Sequence, residues 1–102
     1  MTRRADRVHT RPEDIQRLTS LCDALEEQEH VVITLANGAT VSGVVVSKPG
    51  LQTFFDPSGN EGVNAVLKMD NIGGMGVVRY FWLDDVVDVK HRPSDPAIDM
   101  NR

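Results

Sequence analysis

The sequence predicts a mainly β domain: one N-terminal helix, then a small, strongly bent five-stranded antiparallel barrel with an extra segment between strands three and four. Three observations predict it. A single amphipathic stripe near the N-terminus has helical spacing. After residue 29 the apolar period changes from helical to two. Asn37-Gly38 then joins two short β-branched runs, and a lone glycine, Gly43, interrupts the second. Short strands with a bend-forming glycine suit a small barrel.

The helix comes first. Thr10 with Glu13 three residues on reads as a capping box, and Pro12 falls in the first turn, where its missing N–H costs nothing. Ile15, Leu18, Leu21, Cys22 and Leu25 form one stripe, and the helix is expected over 11–29. Cys22 lies in that stripe and reads as a small buried apolar residue rather than a nucleophile. The barrel is expected over 30–91. Val31 to Leu35 is the first strand and Thr40 to Ser47 the second, joined by the strongest short hairpin signal. Leu51 to Phe55 is the third, closed by Asp56-Pro57-Ser58-Gly59. Val63 to Met69 reads as one further strand, weakened by Asn64 and Lys68. Val77 to Leu83 is a strong strand, and Val86 to Lys90 a short last one. Parity puts Val31, Ile33 and Leu35 on one face, Val41, Gly43 and Val45 on another, and Val87 and Val89 opposite Asp88 and Lys90. These apolar sets are expected to share one core capped by the helix.

With 102 residues the chain fits one domain. The one cysteine excludes an intrachain disulfide and fits a reducing compartment. No apolar run approaches the roughly 20 residues that cross a bilayer, and the N-terminus lacks a secretory pattern. A cytoplasmic protein with no membrane partner is expected. Charge is uneven. Residues 1–11 carry four arginines against Asp6, net +3, and the rest carries seven Lys or Arg against fourteen Asp or Glu, net −7. Residues 1–10 are therefore read as a flexible basic arm and 92–102 as a flexible tail. Such an arm can grip phosphates, whereas the acidic body argues against a broad nucleic-acid surface.

The segment VVITLANGATVSGVVV, residues 31–46, resembles the opening of the Sm motif, whose pattern falls on Val31, Ile33, Leu35, Gly38, Val41 and Gly43. The preceding helix is similar to the one that family stacks on an open barrel end. YFWLDDVVDVK, residues 80–90, resembles the family's last two strands. The resemblance implies an Sm-like barrel, RNA as ligand and edge-to-edge association of subunits. The chain departs from the family where RNA is held. Ser47-Lys48-Pro49-Gly50 and Leu51-Gln52-Thr53-Phe54 replace the aspartate–apolar–asparagine signature, and Asp84-Asp85 stands where arginine-glycine is usual. No RNA-binding residue is carried over. Six possible strands are counted against the family's five, with surplus material between Gly59 and Gly76.

No nucleophile–base set can be named. Ile72-Gly73-Gly74-Met75-Gly76 lacks the Gly-Lys-Ser/Thr ending of a phosphate loop. His9, His30 and His91 lack metal-ligand spacing, and Asp84-Asp85 reads as a solvated turn. No cofactor is expected, and the chain is read as a non-enzymatic binding module. Candidate nucleic-acid contacts are Arg3, Arg4, Arg7 and Lys48. All five aromatics lie in Phe54-Phe55 and Tyr80-Phe81-Trp82. If Phe81 faces inward, Tyr80 and Trp82 face outward. Val78, Tyr80 and Trp82 are therefore the candidate subunit interface of a homo-oligomer. Two functions stay open: an RNA-associated, self-associating module, and a protein-interaction or scaffold module that has lost RNA binding.

Overall fold

The computed structural model describes residues 3–92. Its elements run α1 (Pro12–Ala24), β1 (His30–Leu35), β2 (Thr40–Val45), β3 (Gln52–Phe55), β4 (Glu61–Asn64), β5 (Val66–Ile72), β6 (Val77–Trp82), a 3₁₀ turn (Leu83–Asp85) and β7 (Val86–His91). Helix α1 is shorter than the expected 11–29. Arg11, not Thr10, is its N-cap, without a side-chain cap, and Pro12 opens it as expected. It ends because Leu25 turns extended and Gln28 takes a positive φ of 68°. No basic residue lies in its last turn, and Glu26, Glu27 and Glu29 follow, where the helix dipole disfavours acids. Residues 28 and 29 instead bond to β2, with the Gln28 N–H donating to Val45 O at 2.7 Å.

Five strands form an antiparallel sheet in the order β6-β5-β2-β1-β7, and β3-β4 form a separate two-stranded hairpin. Among the described residues, the barrel expected from sequence is therefore not closed by hydrogen bonds. β6 and β7 lie at opposite edges, although only the 3₁₀ turn joins them, so the sheet must curl without a ladder between its edges. The surplus material is also placed differently. The expected strand Val63–Met69 breaks at Ala65, whose N–H is held by Asn64 Oδ1 at 2.8 Å and whose carbonyl accepts the Leu83 N–H at 2.8 Å. The first half joins the hairpin and the second becomes an interior strand of the main sheet. The added unit is thus the hairpin between the sheet's second and third strands.

The core is built from Val31 and Ile33 of β1, Val41 and Val45 of β2, Leu67 and Met69 of β5, Phe81, Leu83 and Val86, with Leu18, Cys22 and Leu25 of the helix stripe closing it. β1 and β2 keep the predicted faces. β7 does not. A bulge at Thr34/Leu35 pairs Thr34 with Asp88 and Leu35 with Val86, so Val86 is buried and Val87 is exposed. Gly43 lies where β5 runs alongside β2: a Cβ there would stand 2.8 Å from the Asp70 carbonyl oxygen.

Candidate functional site

The 3₁₀ turn is the meeting point of the molecule's polar groups. Its Asp84 was expected in a solvated turn, yet its side chain is only 5% exposed. Because Leu83 is anchored in the core, the next side chain turns inward beneath the N-terminal segment. Arg7 grips it in a fork, Nε at 2.9 Å and Nη2 at 3.2 Å, and His9 Nε2 lies 2.8 Å from Oδ2. Arg17 of α1 donates to the carbonyls of Asp84 and Val86. Burial alone would raise the Asp84 carboxyl, but the hydrogen bonds from Arg7 and His9 outweigh it and hold the group below the usual carboxylate range. Asp14 Oδ2 lies 3.9 Å from His9 Nδ1. A cavity of about 120 Å³ opens between His9, Asp14, Arg17, Leu18 and Asp84.

Residues 3–9, expected as a free arm, run across the β3–β4 hairpin as a strap. The Ala5 N–H donates to Phe55 O at 3.0 Å, and His9 and Val63 exchange both backbone bonds at 2.9 Å. The candidate nucleic-acid contacts are not brought together. Arg3 bonds to Gln52 on β3, Arg4 is bridged through its backbone to Phe55, and Arg7 is spent on Asp84 and Asp85. Lys48 Nζ donates to Cys22 O at 2.9 Å and pairs with Glu26 at 3.0 Å, so it caps the helix C-terminus. Cys22 is buried, and that burial pushes its thiol up, away from the reactive thiolate.

The second candidate set lies on β6, an edge strand. Val78 and Tyr80 are exposed, as is Val77, and Lys68 Nζ stands 5.5 Å from the Tyr80 ring centroid. Phe81 faces inward, as one of the two parity alternatives required. Trp82 does not stand free with its neighbours: Phe54 of the hairpin meets it edge-on at 5.3 Å and 89°. The polar residue that sequence reasoning missed is Asn64. It is fully buried and donates to the Arg7 carbonyl at 2.9 Å. In the sequence it reads only as a flaw in a strand. Its signal was an amide amid apolar residues, which when buried must find partners.

A curled five-stranded sheet with an N-terminal helix across its core is the Sm-like arrangement that residues 31–46 suggested. The solved structure of XC5848 from Xanthomonas campestris, described as adopting a novel variant of Sm-like motif, matches it with a TM-score of 0.85 at 31% identity, covering 91% of this chain and 100% of that one. The chain belongs to the family described as Domain of unknown function (DUF3247), whose model matches residues 2–92. No curated protein matches it.

Proposed function

We propose that this chain is a non-enzymatic interaction module, an Sm-like sheet that binds protein chains, copies of itself first, through the free edge of β6. On this reading it has given up RNA. The observation that carries the reading is how the cations are used. Arg3, Arg7 and Lys48 each have an acceptor within the chain, on a body of net negative charge. Phosphate binding needs clustered, available Lys and Arg. β6 offers the opposite: an edge without a strand partner among the described residues, with exposed Val77, Val78 and Tyr80 and one charge, Arg79. Such an edge is a template for another strand.

A gel shift with mixed-sequence RNA oligomers over a salt series tests the loss of RNA binding. No shift is expected even at low salt. A shift that weakens steeply with salt would overturn it, because release of counterions is the mark of phosphate contact. One observation favours RNA: an exposed tyrosine ring with a lysine over it is a stacking platform for a base. In that case Tyr80→Ala would abolish the shift.

A further inference from the structure

The strap is held as proteins hold a bound peptide. Main-chain bonds fix it at both ends: Ala5 and Arg3 to Phe55 on β3, and His9 to Val63 on β4. At the second anchor it crosses Gly62, where a Cβ would stand 2.8 Å from His9 O and 2.9 Å from Val8 Cβ. Only glycine admits so close a backbone. Asn64 clamps the Arg7 carbonyl, Ala5 is buried in a small slot, and Asp84 takes the Arg7 guanidinium and the His9 ring. Main-chain bonds for affinity and pockets or charges for chosen side chains are the parts of an extended-peptide site. None of residues 3–9 belongs to the hydrophobic cluster that holds the sheet and helix together. The main hydrophobic cluster is therefore complete without the strap, which adds its own polar bonds and the buried Ala5.

We propose that the channel formed by Phe55, Gly62, Val63, Asn64 and Asp84 is a recognition site for an extended basic protein segment, filled here by the chain's own residues 3–9. The chemistry selects a small residue, an arginine two positions on, and a second cationic or imidazole donor two further. Asp14, Asp84 and Asp85 supply the complementary charge. The cavity beside His9 gives a longer side chain room at the last position. This site lies apart from the β6 edge and does not depend on it. The strap acts as an intramolecular competitor, lowering apparent affinity for an outside segment by the fraction of time it is docked.

The test uses the full chain carrying Arg7→Glu, which sets a carboxylate against Asp84 and leaves the channel unaltered. The probe is a fluorescent peptide with the sequence of residues 2–10. Binding about tenfold tighter than to wild type is expected, and adding Gly62→Val should abolish it. Equal binding by wild type and Arg7→Glu, no binding by the variant at about millimolar peptide, or binding that survives Gly62→Val would overturn the proposal. So would an Arg7→Glu chain that fails to fold, since the strap would then be part of the fold. Hydrogen exchange on the wild type decides independently. The Ala5 and His9 amides should exchange at least about tenfold faster than those of the interior strand β1. Exchange at the β1 rate would show that the strap opens only with global unfolding and would overturn the proposal.

Discussion

Asp84 is a buried acid whose charge is balanced by Arg7 and whose Oδ2 also bonds to His9, so its removal should cost more than a surface charge does. Asp84→Asn should destabilise the fold by about 1.5–3 kcal/mol, the range for a hydrogen bond to a charged group, measured by denaturant titration. Its folded carboxyl lies below the usual value. Its contribution is therefore present above the unfolded pKa of about 3.9 and is lost as pH falls through the lower folded value. An acid titration should show wild type losing stability over that range and Asp84→Asn losing less. Gly43 is the other decisive residue. A side chain there meets the Asp70 carbonyl, a backbone group that cannot swing aside. Gly43→Val should cost about 1–3 kcal/mol through overpacking, although valine favours strands, and an unchanged melting temperature would contradict this account of the close approach. The glycine was legible in the sequence as an interruption of a β-branched run. Asp84 was not, because its partners Arg7 and His9 stand more than seventy residues away and adjacent aspartates read as a turn.

At the scale of elements, what could be read depended on whether the cause was local. The stripe Leu18, Cys22, Leu25 and the alternation of β1 and β2 are periodic, and the buried positions follow them. The start of β7, Val86 and Val87, was misread because its bulge arises from pairing with β1, which leaves no mark on its own sequence. The break at Ala65 depends on Asn64 and on the distant Leu83, so one apolar run had to look like one strand. Helix α1 should stand or fall by its stripe. Leu18→Ala or Leu25→Ala should destabilise by about 2–5 kcal/mol, since both side chains are essentially inaccessible. Wild-type denaturation curves for both would rule out a docked helix. Lys48 serves the same element. Lys48→Met should cost about 0.3–1 kcal/mol, the worth of a cation at a helix C-terminus, and should leave any RNA gel shift unaltered.

At the scale of the whole molecule, the edge positions of β6 and β7 among the described residues follow from a sheet that curls without closing. A low-charge edge with exposed Val77, Val78 and Tyr80 must be paired or covered if the protein is to stay in solution. Trp82 is already covered by Phe54 within the chain, so the exposed apolar side chains of β6 are Val77, Val78 and Tyr80. That surface is the basis for reading the protein as a module that binds protein strands. Light scattering tests it most directly by giving the molar mass in solution. At about tens of micromolar, where associations of modest affinity persist, the mass should be at least twice the 11.3 kDa of one chain and should fall toward one chain for Tyr80→Lys. A wild-type mass of a single chain at that concentration would contradict the account.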